Sequence, residues 1–175
     1  MTADVVVASG GVSVGAHDLV RTAFEEIGSL DLWRVAIQPG KPLAYGSARR
    51  PDGGLCLLFG LPGNPVSSFV TFELFVRPVI RRMRGDPGTQ GRPSVQATLV
   101  EAVRKAPDRR AFIRVRLEPD PDDEERYRAH TAGGQGSHVL SALAVADGLA
   151  VIPEGVAELP AGAPVEVIRL DVEIA

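Results

Sequence analysis

Two glycine-marked bends decide how this chain is read: Ser9-Gly10-Gly11-Val12-Ser13-Val14-Gly15 and Gly60-Leu61-Pro62-Gly63-Asn64-Pro65. Each follows an apolar run, Val5-Val6-Val7 and Leu55–Phe59, and each precedes a helix-like segment. A strand, a Gly-rich turn and a helix in that order make the unit of an α/β sheet. Such sheets bind ligands at the edge where these turns open. Between the two bends lies Gln38-Pro39-Gly40-Lys41-Pro42, a stiff turn with one lysine. Its two prolines preset the backbone, so less entropy is lost when Lys41 grips an anion. Together the three bends suggest a site for a small anionic ligand.

Outward from these bends, Asp4–Ala8 reads as a buried strand of a parallel sheet. Ala16–Ile27 follows as a helix, with Leu19, Val20, Ala23, Phe24 and Ile27 at helical spacing and Gly28 as its stop. Trp33–Ile37, Leu43–Gly46 and Leu55–Phe59 read as further strands, and Ser47–Gly54 as a loop or hairpin tip. Pro65–Arg84 is helical, with Phe69, Phe72, Val76, Val79 and Met83 on one stripe. Pro65 suits the first helical position, and Pro78 is expected to kink the helix or start a new one. Arg77, Arg81, Arg82 and Arg84 read as a solvated face that complements the helix dipole, in preference to a nucleic-acid patch.

Gly85–Pro93 is a linker by composition. Beyond it the hydrophobic period changes to two, at Val95–Leu99 and most cleanly at Phe112–Leu117. Tyr127–Thr131, Leu149–Ile152 and Val165–Leu170 are further short strands, Asp120–Arg126 is a hairpin tip and Val139–Ala146 a short helix. This half reads as a small antiparallel barrel or sandwich.

The chain has 175 residues, 45% hydrophobic and 23% charged, with a formal net charge of −3, so nothing advertises a nucleic-acid or membrane partner. No apolar stretch approaches the length of a membrane span, and no signal peptide is visible. The single cysteine, Cys56, excludes an internal disulfide framework and reads as a small buried hydrophobe rather than a reactive thiol.

Neither standard phosphate fingerprint is present: residues 10–15 are not spaced G-x-G-x-x-G, and Gly40-Lys41 is followed by Pro42. Gly10, Gly11 and Gly15, with Ser13 among them, still permit close backbone approach to a ligand; a tight structural turn is the equal alternative. Asp18, in the first turn of the next helix, either caps that helix or reaches a ligand. His17 beside it reads as a surface histidine. Pro62, Gly63, Asn64 and Pro65 form a rigid segment that aims its backbone at one place. Gly133-Gly134-Gln135-Gly136-Ser137-His138 is either a flexible loop or a second oxyanion-binding element that uses Ser137. Arg109 and Arg114, flanking Phe112, either bind an oxyanion or line a barrel surface. No His, Cys or carboxylate cluster has the spacing of a structural zinc site.

Residues 9–15, Pro39-Gly40-Lys41-Pro42-Leu43-Ala44-Tyr45-Gly46 and Gly60-Leu61-Pro62-Gly63-Asn64-Pro65-Val66-Ser67, in this order and spacing, resemble the molybdopterin molybdenumtransferases. This is the MoeA family, which includes the gephyrin E-domain. The likeness continues through Phe72–Pro78, Arg109–Arg114 and Gln135–Ser137, so it covers nearly the whole chain. It implies an α/β fold: a partial three-layer molybdopterin-binding domain over residues 1–86, without its N-terminal strands, then a small all-β barrel-like C-terminal domain over 91–175. On this reading the chain is the C-terminal portion of a longer protein. The implied reaction inserts molybdenum from molybdate into adenylylated molybdopterin with release of AMP.

By the same resemblance, Asp18 and Lys41 are catalytic, and Asp18 holds Mg2+. Gly10, Gly11, Ser13, Gly15, Pro62, Gly63, Asn64 and Pro65 bind substrate, and Arg109 and Ser137 contact molybdate. A cytoplasmic, family-like homodimer is implied, with an upstream molybdopterin adenylyltransferase as partner. Two positions depart from the pattern: Gln38 and Arg34 stand where the family often carries lysine. Gln38 loses a charge, which leaves a second reading, a non-catalytic pterin-binding or scaffolding module of the same fold.

Overall fold

The protein is described from a computed structural model, over residues 2–11, 19–86, 91–136 and 138–170. It forms two compact units, one of Met1–Val35 with Gly40–Gly88, the other of Ala36–Pro39 with Thr89–Ala175.

The first unit is built on a four-stranded sheet. Its strands are β1 (Val5–Ser9), β2 (Ser29–Arg34), β4 (Pro42–Arg49) and β5 (Leu55–Leu61), in the order β1-β5-β4-β2. β1 and β5 are parallel, as expected, but β4 runs antiparallel to both β5 and β2. The sheet is therefore mixed rather than parallel. The cause is the short link between β4 and β5. β4 continues to Arg49, three residues beyond the expected end, and only residues 50–54 remain to turn the chain. A parallel return needs a crossover of a dozen residues or more. The turn is instead closed by Gly53 N–H to Arg50 O (3.0 Å) and Arg50 N–H to Gly54 O (2.9 Å), with Gly53 at φ +85°. β1 lies at an edge of the four strands, with Val7 40% exposed, so the expectation of a buried strand is corrected too.

Each face of this sheet carries a helix. On one, α1 (Leu19–Ile27) lays Phe24 and Val20 on Ala48, Cys56 and Leu58. Cys56 is fully buried, as a small hydrophobe should be. On the other, the run from Pro65 packs Phe72, Phe75, Val76, Val79 and Ile80 against Leu43, Phe59 and Leu61. That run is not one continuous α-helix. α2 (Pro65–Thr71) and α3 (Arg77–Met83) are joined by a π turn over Phe72–Val76, in which Arg77 N–H reaches back five residues to Phe72 O. Pro78 explains it: an α-helical path would drive its ring into the carbonyl four residues earlier, and the wider turn makes room. The extra residue rotates the buried face. Val66, Val70, Thr71, Glu73 and Val76 are enclosed, while Met83, expected on the buried stripe, is exposed.

The second unit is a closed barrel. β6 (Ser94–Leu99), β8 (Arg110–Asp120), β9 (Asp123–Thr131), β10 (Gly148–Ile152) and β12 (Pro164–Arg169) run in the order β10-β12-β6-β9-β8, and β8 pairs again with β10 to complete the ring. Closure removes the free edges that a sandwich leaves. The β6–β9 pair is parallel and the others antiparallel. Leu99, Val115, Ala129, Ala150, Ile152 and Val167 fill the interior. β3 (Ile37–Gln38) adds to β8 in parallel, and β7 (Val103–Arg104) pairs with β11 (Glu158–Leu159) as a small ribbon. A short helix, α4 (Leu140–Ala144), precedes β10. In β8 the clean alternation expected at Phe112–Leu117 gives way to burial of every residue from Ala111 to Val115.

Candidate functional site

In the first unit the pairing register carries all three bends to one end of the sheet. β1 and β5 finish together, with Ser9 opposite Leu61, and β4 starts there, with Ala44 opposite Gly60. β2 ends at the same level, Arg34 facing Pro42. Residues 9–11, 40–42 and 61–65 therefore leave the sheet on one side.

The first and third bends are tied to each other. Gly10 N–H donates to Leu61 O (2.9 Å), and Ser9 Oγ–H donates to Pro62 O (3.3 Å) while lying 3.0 Å from Ser68 Oγ. A Cβ on Gly63 would stand 3.4 Å from the Gly10 Cα, so these two backbones pass in contact. Gly10 (φ +90°) and Gly11 (φ +70°) both occupy the left-handed region that only glycine adopts without strain. The N–H of Gly10 is spent on this tie. That of exposed Gly11 has no partner among the described residues.

Lys41 sits where the β2–β4 loop closes, its carbonyl accepting from Val35 N–H (2.9 Å). Its side chain is exposed and makes no ion pair among the described residues. Gly40 before it is buried at φ +119°. The middle of the third bend is occupied by structural work. Asn64 caps α2, its Oδ1 accepting from Ser67 N–H (3.5 Å), with Pro65 at the first helical position. Pro62 is buried, and Gly63 and Pro65 are exposed.

Ser13, Gly15, Asp18 and Ser137 lie outside the described residues. The magnesium expectation rests on Asp18, so the remaining donors decide the fit. Residues 9–11, 40–42 and 61–65 contain no carboxylate, and no group of three His, Cys, Asp or Glu that could hold a metal occurs among the described residues. The described residues by themselves do not supply a magnesium site.

The second unit holds a different feature. Arg114 projects from β8 on the side away from the barrel interior, yet is 1% exposed. The loop over residues 133–136 roofs it, and its Nη2 donates to Gly134 O (2.9 Å) and Gly136 O (3.2 Å). Its Nε is buried without a hydrogen-bond partner, and no carboxylate pairs with it among the described residues. Burial pushes the guanidinium below its ordinary value, but arginine stays charged. A buried cation with a free donor is costly. Arg109, which the resemblance implicates, is part-exposed and bonds Asp108 through Nε (3.2 Å), while its carbonyl accepts from the Lys105 ammonium. Of the two arginines that the sequence left open, Arg114 is buried under loop carbonyls and Arg109 is the more open. The visible signal was a cation set between Ile113 and Val115 in an apolar run.

Residues 1–82 match the family described as a probable molybdopterin binding domain, and residues 96–170 match the MoeA C-terminal region, domain IV. A molybdopterin molybdenumtransferase of Haemophilus influenzae is 34% identical over 94% of this chain and 39% of its own length. Gephyrin of Dictyostelium discoideum is also 34% identical, over 95% of this chain and 25% of its own. The crystal structure of a molybdopterin biosynthesis MoeA protein from Pyrococcus horikoshii superposes with a TM-score of 0.70 at 35% identity, covering 95% of this chain and 37% of that one. The chain thus spans between a quarter and two fifths of the length of these relatives.

Proposed function

Because the chain belongs to the MoeA and gephyrin E-domain family, we propose that it supplies the pterin-nucleotide and molybdate contacts of an enzyme of molybdenum cofactor biosynthesis. That enzyme inserts molybdenum from molybdate into adenylylated molybdopterin and releases AMP. The observation that carries this reading is the arrival of residues 9–11, 40–42 and 61–65 at one end of a single sheet, with the exposed Lys41 among them. Lys41 brings an ammonium to phosphate oxygens whose charge rises as the adenylate is cleaved, and a cation held near them lowers that barrier. Gly11 offers a backbone N–H, and the contact between Gly10 and Gly63 leaves no side chain in the way. In the second unit the part-exposed Arg109 offers its guanidinium to a tetrahedral oxyanion such as molybdate, a charge-assisted bond.

The test is calorimetry on the full-length protein with molybdate and with adenylylated molybdopterin. Binding of both is expected. Replacing Lys41 by Ala should weaken the nucleotide by about tenfold and leave thermal stability unchanged, since the side chain is exposed and unbonded. Absence of binding to either ligand would end this reading. The scaffolding alternative, prompted by Gln38, would gain if the full-length gene failed to rescue a molybdenum-insertase-deficient strain while ligand binding persisted.

A further inference from the structure

The first and third bends are joined by side chains as well as by backbone. Ser9 ends β1, and its hydroxyl lies between a carbonyl of the third bend and a hydroxyl of α2. Ser9 Oγ–H donates to Pro62 O (3.3 Å), and the Ser9 and Ser68 oxygens stand 3.0 Å apart. A hydroxyl has one proton to give. Ser9 spends its proton on Pro62, so Ser68 Oγ–H is the donor to Ser9 Oγ. The three groups form a directed chain, Ser68 to Ser9 to Pro62, in which each bond polarises the next. The far end of the chain is anchored, because Ser68 N–H donates to Asn64 O (2.8 Å) in the first turn of α2.

The near end of the chain acts on one peptide. Among the described residues Pro62 O accepts no other bond. The Pro62–Gly63 peptide is trans, so Gly63 N–H points opposite to the carbonyl that Ser9 holds. Gly63 is exposed, and its N–H, like that of Gly11, has no partner among the described residues. We propose that Ser9 is a positioning residue for the nucleotide site: its hydroxyl fixes the Pro62–Gly63 peptide against the first bend, so that the Gly11 and Gly63 N–H groups are set before the ligand arrives. This rests on the reading of the three bends as the pterin-nucleotide site. Without the hydroxyl the peptide samples several directions, and the entropy lost on ordering it lowers affinity.

The experiment is calorimetry on the full-length protein, titrating adenylylated molybdopterin into wild type, Ser9→Ala, Ser9→Thr, Ser68→Ala and the double alanine variant. Thermal melting is read alongside. Ser9→Ala is expected to weaken binding about fivefold, and Ser9→Thr, which keeps the hydroxyl, to stay within about twofold of wild type. Ser68→Ala should weaken binding less than Ser9→Ala. The double variant should bind no more weakly than Ser9→Ala alone, because Ser68 acts only through Ser9. Every variant should melt within about two degrees of wild type, since Ser9 is exposed. Wild-type affinity in Ser9→Ala overturns the proposal. So does a loss of affinity that follows a fall in melting temperature, since Ser9 would then be only a fold-stabilising residue. Losses that add in the double variant also overturn it, because Ser68 would then act apart from Ser9. Lys41→Ala separates this proposal from the reading beneath it. If Lys41→Ala weakens binding and Ser9→Ala does not, the site stands and only the role of Ser9 falls. If the wild type binds no nucleotide, both fall.

Discussion

Gly46 faces a backbone rather than a side chain: a Cβ there would stand 2.0 Å from Ser29 O, and one on Gly28 would stand 2.1 Å from Ser47 O. Neither carbonyl can give way without breaking the β2–β4 pairing, so Gly46→Ala should destabilise the first unit by about 3 kcal/mol, read as a lower denaturation midpoint. Asp52, at the β4–β5 turn, behaves differently. Gly54 N–H bonds its carboxylate (2.9 Å), and Arg50 adds a second bond, so its pKa lies below the ordinary carboxylate range. A depressed folded value means that its contribution is complete at neutral pH and is lost as pH falls through that value. The Gly54 amide resonance should therefore shift below about pH 4, and Asp52→Asn should abolish that titration. Residue-level signals were legible where chemistry is local, as with Cys56 and the positive-φ glycines. They were not legible where a neighbour distant in sequence decides the role: Arg109 and Arg114 look alike until the 133–136 loop roofs one of them.

At the level of elements, the sequence revealed strands and helices better than their directions. The apolar run Leu55–Phe59 and the bend after it are read correctly, but hydrophobic period is silent on orientation. The five-residue turn after Arg49, which forces antiparallel pairing, lies inside Ser47–Gly54, which the sequence left open between a loop and a hairpin tip. In the run from Pro65 a kink or a new start at Pro78 was foreseen, and a new segment, α3, begins at Arg77. The one-residue π insertion was not foreseen, because it is a response to Pro78 felt several residues earlier. Asn64 offers a direct check. Its cap bond is long at 3.5 Å, so Asn64→Ala should cost about 0.5–1 kcal/mol, at the weaker end for such caps. A larger loss of ligand affinity than of stability in that variant would mark Asn64 as a substrate contact as well.

On the scale of the whole molecule, two interiors hold two units. Leu58 is fully buried in the first and Ile152 in the second. Leu58→Ala and Ile152→Ala should each cost about 3 kcal/mol. Amide exchange should show the loss spread through the mutated unit and little changed in the other. The barrel was foreseen as a class, and its closure through the second β8–β10 pairing was not, since closure depends on shear that no local pattern encodes. Least visible of all was the detour of Ala36–Pro39, four residues that quit the first unit, lie along β8 and return. This detour governs how the gene can be dissected. A fragment cut anywhere in residues 87–90 leaves β3 behind, and the excised barrel would carry a bare edge at Arg110 and Ala111, an invitation to pair with its own copies. Grafting Ala36–Pro39 onto the amino end of such a fragment through a flexible tether is the remedy that the topology dictates.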